Sequence, residues 1–143
     1  MKILEIGKVD LASLCYLNKE RYPFLLESVN HNDNNRYSIL FAFPSESIVL
    51  NSLSDFDFLN ELESQYKSSN LNSNLPFSGG WFVYLSYELI GQIEPILSRE
   101  LHTSELPIAY AVKIPSAIII DHQLNTTYLI DQDNDQNRID TIL

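Results

Sequence analysis

The segment Gly79-Gly80-Trp81-Phe82-Val83-Tyr84-Leu85-Ser86-Tyr87-Glu88-Leu89 is the strongest constraint on what this chain can fold into. At the two-residue period of a strand, Trp81, Val83, Leu85 and Tyr87 fall on one face, with Phe82, Tyr84 and Ser86 on the other. Both faces are largely apolar, which predicts a strand in the middle of two packed layers. Gly79 and Gly80 permit a sharp turn or a close backbone approach just before it.

Seven further runs read as strands: Met1–Gly7, Tyr22–Ser28, Arg36–Phe43, Ser47–Asn51, Ala109–Ile114, Ser116–His122 and Thr126–Gln132. In the third, Tyr37, Ile39, Phe41 and Phe43 alternate with Ser38, Leu40 and Ala42, so one face is heavily buried. Pro44 ends that run, and Ser47–Asn51 follows after a short turn, predicting a hairpin between the two. Asn30–Asn35, with four Asn and one Asp in six residues, reads as a turn. Pro107, Pro115 and an Asn125 turn bound the later strands.

Helical spacing occurs twice. Asp10 can cap a helix through Leu17, with Leu11, Leu14, Cys15 and Leu17 on one face. Ser54 followed by Asp57 resembles a capping box for a helix from Asp55 to about Lys67, with Phe56, Leu59, Leu62, Glu63 and Tyr66 as its inner face. Residues 68–80 read as a polar loop inside one domain. Leu89–Leu101 reads as a short helix and loop broken at Pro95. Arg138–Leu143 starts another amphipathic element and stops short, as a truncated chain would. The pattern is α+β: an antiparallel β-sandwich-like sheet with two or three helices.

A length of 143 residues suits a single domain, 1–143. Nine Lys and Arg against nineteen Asp and Glu give a net charge of −10, and the cations are scattered. That excludes a nucleic-acid or anionic-membrane surface, which needs clustered cations. Cys15, the single cysteine, rules out an internal disulfide and reads as a small core residue in a reducing compartment. No run is long enough for a membrane helix and the N-terminus does not read as a signal peptide, so a cytoplasmic location is expected. His31, His102 and His122 share no metal-ligand spacing with Cys15 or one another. With four glycines there is no glycine-rich phosphate cradle. Asp131, Asp133 and Asp135 imitate part of a calcium segment but lack its central Gly and closing Glu.

Two polar groupings stand out. Glu27-Ser28 and Arg36-Tyr37 flank the Asn-rich turn, and together could bind a zwitterionic small ligand, with Arg36 clamping its carboxylate. The simpler expectation is that Glu27 pairs with Arg36 while Ser28 caps the turn. The polar tips of Tyr84, Ser86, Tyr87 and Glu88 read as buried tyrosines with satisfied hydroxyls.

Three blocks, in this order, carry a resemblance. They are Tyr22-Pro23-Phe24-Leu25-Leu26-Glu27-Ser28, then Arg36-Tyr37-Ser38-Ile39-Leu40-Phe41-Ala42-Phe43, then the Gly79–Leu89 segment. Together they resemble the N-terminal region of the chorismate-utilising synthases, the family of anthranilate synthase component I and para-aminobenzoate (aminodeoxychorismate) synthase component I. The likeness continues through Ile93-Glu94-Pro95 and on to Pro115. The first two blocks, with Ile93-Glu94-Pro95, look more like the para-aminobenzoate branch. That branch aminates chorismate to 4-amino-4-deoxychorismate for folate biosynthesis.

The resemblance implies an open β-sandwich completed by a longer C-terminal chorismate-binding domain. That domain would carry the catalytic groups and the Mg2+ carboxylates, so no catalytic residue and no cofactor are expected in this chain. Its implied partners are that domain, a glutamine amidotransferase subunit (component II) supplying ammonia, and L-tryptophan. The implied tryptophan pocket maps onto Glu27, Ser28, Asn34, Asn35, Arg36 and Tyr37. Because the pocket also needs the C-terminal region, the chain alone is expected to bind tryptophan poorly. Two alternatives accompany this reading: a tryptophan-sensing domain of the anthranilate branch, and a free-standing small-ligand or protein interaction module.

Overall fold

A computed structural model describes residues 1–28, 36–66, 73–97 and 105–143. All eight expected strands are present: β1 Lys2–Ile6, β2 Phe24–Leu26, β3 Tyr37–Ala42, β4 Ser47–Leu50, β5 Gly80–Leu85, β6 Ala109–Ile114, β7 Ser116–Asp121 and β8 Thr126–Asp131. The helices are α1 Leu11–Leu17, α2 Phe58–Gln65, α3 Ile90–Ile93 and α4 Gln136–Ile142, with 3-10 turns at Tyr87–Leu89 and Pro95–Leu97. The Asn30–Asn35 turn and the expected helix end at Lys67 lie outside the described residues. The chain forms two compact units.

The first unit is a five-stranded sheet in the order β1-β8-β7-β3-β2, antiparallel throughout. Leu40, Ala42, Ile118 and Leu129 point to one face, where Leu11 from α1 and Ile139 from α4 close over them. Asp10 caps α1 as expected, its carboxylate accepting from the Ser13 amide at 3.0 Å. Leu17, placed on the inner face from sequence, is exposed instead, because the helix ends there. Ile39, Ala117, Ile119 and Ile130 point to the other face, beneath Leu75 and Phe77. Phe77 meets Phe41 edge-on at 5.0 Å.

The strand buried on both faces is therefore β7. The element that starts at Arg138 in the sequence reading is the body of α4, capped by Asp135 and docked through Ile139.

The second unit is a three-stranded sheet in the order β4-β6-β5, packed with α2. Phe58, Leu50, Ile108 and Ala109 form its core with Leu89, edged by Leu53, Leu62 and Trp81. Asp57, rather than Ser54, caps α2, accepting from the Asn60 amide at 3.1 Å. This start turns Phe58 and Leu62 inward and leaves Phe56, Leu59 and Tyr66 exposed, so the expected inner face is rotated. Gln92 fixes this start: its Oε1 accepts from the Phe58 amide at 3.1 Å and its Nε2 donates to the carbonyls of Leu53 and Phe56.

Two sequence expectations fail for identifiable reasons. The β3–β4 hairpin does not form, since β3 pairs with β2 and β7 while β4 pairs with β6. Phe43 leaves the strand at φ +58, its amide donating to the Arg21 carbonyl at 2.8 Å. Its ring then packs with Leu40 and Ala42, off the face its spacing predicted. Pro44 supplies no amide to continue the ladder. Likewise, among the described residues β5 is not a central strand: it ends the order β4-β6-β5, and its second half is exposed on both alternations.

Gly79 adopts φ +105, where a Cβ would overlap Gln132 Oε1 and lie 2.7 Å from Gln132 Cβ and Cδ. Gly79→Ala is expected to lower stability by about 1–3 kcal/mol through strain and the displaced Gln132. An unchanged urea midpoint would show that this approach is not needed.

Candidate functional site

The site expected around Ser28, Arg36 and Tyr37 is built at one end of the five-stranded sheet. Antiparallel pairing sets Leu26 opposite Ile39 and Tyr37 opposite Asp121. Past the end of β2, the Ser28 hydroxyl donates to the Tyr37 carbonyl at 2.7 Å and its amide donates to Ser38 Oγ at 3.2 Å. Ser38 is buried, and its Oγ lies 2.8 Å from His122 Nε2. The His122 amide in turn donates to the Arg36 carbonyl at 2.9 Å. Two strand ends and the turn after β7 are thereby tied into one hydrogen-bonded network.

Arg36 does not pair with Glu27. Its Nε lies 2.9 Å from both carboxylate oxygens of Asp121, and its Nη2 also donates to Oδ2. The Asp121 side chain is 1% exposed, against 35% for Arg36. The Arg36 hydrogen bonds, with the amides of Leu124 and Gln123, hold the Asp121 carboxyl below the usual range against the opposing effect of burial. The same hydrogen bond to Asp121 raises the Arg36 guanidinium. The guanidinium also lies 4.9 Å from the centroid of the Tyr37 ring. Among the described residues Nη1 makes no hydrogen bond.

Of the six residues singled out from sequence, Ser28, Arg36 and Tyr37 share this network. Glu27 is exposed, with no ion-pair partner among the described residues, and Asn34 and Asn35 lie outside them. Sequence reasoning missed Ser38, Asp121 and His122. Their signal was a polar pair, Asp121-His122, ending a run of three isoleucines. A strand end of that kind places polar groups beside buried backbone, where they must be satisfied.

Other residues singled out from sequence are placed as follows. Tyr84 and Tyr87 are exposed rather than buried, and Ser86 Oγ is the buried atom, with no hydrogen-bond partner among the described residues. The trio Asp131, Asp133 and Asp135 surrounds the chain's own cation: Arg138 reaches them at 2.7, 2.8 and 3.5 Å. Cys15 donates through Sγ to the Tyr22 carbonyl at 3.3 Å and packs at the edge of the α1 cluster. Among the described residues no helix is long and apolar enough to cross a membrane.

No protein-family model matches the chain. Individual proteins do. An anthranilate synthase component I-like protein of Synechocystis is 29% identical over 115 residues, which span 76% of this chain and 24% of that protein. Anthranilate synthase component 1 of Lactococcus lactis is 26% identical over 152 aligned positions, 96% of this chain and 33% of the relative. The Bacillus pumilus protein of the same name is 30% identical over 110 residues, 76% and 20% respectively. The chain thus spans between a fifth and a third of the relatives it matches. The crystal structure of anthranilate synthase component I from Streptococcus pneumoniae TIGR4 superimposes with a TM-score of 0.62 at 23% identity, over 95% of this chain and 34% of that one. The sequence relatives and the structural neighbour are anthranilate synthase component I proteins or are named for their likeness to them, and this chain carries the fold found in part of the last.

Proposed function

We propose that this chain is the N-terminal, non-catalytic part of a cytoplasmic chorismate-utilising synthase, in the aminodeoxychorismate branch. The observation that carries the reading is similarity to anthranilate synthase component 1 over 96% of the chain but only 33% of the relative. It is joined by the ordered blocks at 22–28, 36–43 and 79–89. In this reading the remaining polypeptide binds chorismate and Mg2+ and replaces the chorismate 4-hydroxyl by an amino group. A glutamine amidotransferase subunit delivers the ammonia.

The part played by this chain is structural and ligand-binding. Ser28 and Arg36, held by Ser38, His122 and Asp121, contribute to a tryptophan pocket together with Glu27, Asn34, Asn35 and Tyr37. The Nη1 edge of Arg36, unbonded among the described residues, suits the amino-acid carboxylate. The printed names of the Lactococcus and Bacillus relatives favour a second reading, the anthranilate branch, in which the same pocket senses tryptophan to control flux.

The longer protein, supplied with chorismate, Mg2+ and ammonium, is expected to form 4-amino-4-deoxychorismate at a rate indifferent to tryptophan. Formation of anthranilate under tryptophan inhibition would select the second reading. Failure to consume chorismate would overturn both.

A further inference from the structure

Ser28 is held through both of its polar hydrogens. Its hydroxyl donates to the Tyr37 carbonyl at 2.7 Å and its amide to Ser38 Oγ at 3.2 Å. Toward a ligand the Ser28 oxygen can therefore only accept, which suits an ammonium group. Ser38 is 2% exposed, and beyond the Ser28 amide its Oγ has one partner among the described residues, His122 Nε2 at 2.8 Å. A buried hydroxyl that accepts from one neighbour must donate its own hydrogen to another. Here the acceptor is Nε2, so the ring that satisfies both residues is neutral, with Nε2 bare.

Protonation reverses this bond. A charged imidazole carries hydrogen on both nitrogens, which turns Nε2 into a donor to Ser38 Oγ. The Ser28 amide and Nε2 then compete for one oxygen, and the Ser38 hydrogen is left without an acceptor among the described residues. The other titratable groups at this end of the sheet are Glu27 past β2, Arg36 and Tyr37 at the start of β3, Asp121 ending β7 and Tyr128 in β8. Lys8 and Asp10 lie where the chain enters α1, which packs on β3. Arg36 occupies Asp121, and Ser13 engages Asp10. Carboxylates, phenols, ammonium and guanidinium groups ordinarily change charge outside the range pH 5–8, and histidine within it.

We propose that His122 is a positioning residue of this pocket and makes ligand binding there sensitive to pH. Neutral His122 holds Ser38, and Ser38 holds Ser28 against the bound amino acid. Protonation of the ring loosens that chain and weakens binding. The inference rests on the reading of Ser28 and Arg36 as part of an amino-acid pocket in the longer protein, and adds the group that controls it.

The test is calorimetric titration of L-tryptophan into the natural longer protein between pH 8 and pH 5.5, a range in which tryptophan keeps its own charges. The Kd is expected to rise about tenfold as the pH falls. His122→Gln, whose amide oxygen still accepts from Ser38, is expected to hold the high-pH affinity throughout. His122→Ala offers no acceptor and binds weakly at every pH. Ser38→Ala cuts the chain one residue earlier and also loses the pH dependence, which serves if the His122 variants do not fold. His31→Gln, at a position between Ser28 and Arg36 in sequence and outside the described residues, follows the parent. A flat parent profile overturns the inference and leaves the pocket reading intact. Tighter binding at pH 5.5 overturns it too, since the added charge then outweighs the hydrogen bond. A pH dependence that survives in His122→Gln or Ser38→Ala assigns the proton elsewhere and overturns it. Absence of tryptophan binding at every pH defeats the pocket reading, and this inference with it.

Discussion

Replacing Arg138 by alanine is expected to lower the unfolding free energy by about 2–3 kcal/mol at neutral pH. The guanidinium donates through Nε to Asp131 Oδ2 at 2.7 Å and through Nη2 to Oδ1 at 3.2 Å, and reaches Asp133 at 2.8 Å. Asp131 is buried at the end of β8, where it also accepts from Ser116 Oγ at 2.6 Å and from the amide of Asp135 at 2.8 Å. Removing the cation leaves a buried carboxylate beside two others. The loss falls short of the roughly 3–5 kcal/mol of a wholly buried pair because the Arg138 side chain retains 21% exposure.

The pH dependence separates this cause from lost packing. Burial alone would raise the Asp131 carboxyl, but the hydrogen bonds from Arg138, Ser116 and the Asp135 amide outweigh it and lower its pKa from 3.8 to about 2. A folded pKa below the unfolded one gives stability that is complete above pH 4 and is lost as the pH falls toward 2, here about 2 kcal/mol. The gap between the parent protein and Arg138→Ala in urea midpoints is therefore expected to narrow across that window. A gap independent of pH would show that Arg138 acts by packing alone. Combining Arg138→Ala with Asp131→Asn should restore part of the loss, because no charge then remains buried.

The second large effect is expected in the three-stranded unit. Phe58 is 0% exposed within the cluster of Leu50, Ile108 and Leu89. Phe58→Ala is expected to cost about 3–5 kcal/mol, the transfer free energy of the ring plus that of the cavity left behind. Leu59, one position on, is 39% exposed, and Leu59→Ala is expected to cost under about 1 kcal/mol. The contrast tests the phase of α2 directly: the face Phe56, Leu59, Leu62, Glu63 and Tyr66 read from sequence includes Leu59 and omits Phe58, and so predicts the opposite ranking, although its Leu62 does pack inward. Amides of Ile48 and Leu50 should lose protection in Phe58→Ala before those of Ile118 and Leu129, since the two clusters share no residue.

Local patterns made the elements legible and left their neighbours undetermined. The strand at 37–42 and the Asp10 cap are properties of a few adjacent residues, and both appear as read, although the more fully buried alternation is Ser38, Leu40 and Ala42 rather than Tyr37, Ile39 and Phe41. The runs at β5 and β7 are alike in being apolar on both alternations. Only sheet order makes β7 doubly buried and β5 an edge, and sheet order is set by partners far away in sequence. Phe43 breaks its alternation through one backbone angle, which a list of apolar residues does not encode.

In the candidate site, the grouping of Ser28 with Arg36 and Tyr37 was legible because the three flank one short Asn-rich stretch of sequence. The partner of Arg36 was not, because Asp121 lies 85 positions on. The capping rule misplaced the start of α2 for a related reason. Gln92, thirty-four residues away, satisfies the Phe58 amide and helps select Asp57 as the cap.

The central claim, that this chain is the N-terminal portion of a larger chorismate-utilising synthase, is tested most directly by the native gene product. The measurement is the mass and sequence of the protein made from the natural reading frame. The account predicts an in-frame continuation beyond Leu143, on the order of two to three further domain lengths, that carries the chorismate-binding region. A native product that ends at Leu143 would contradict it.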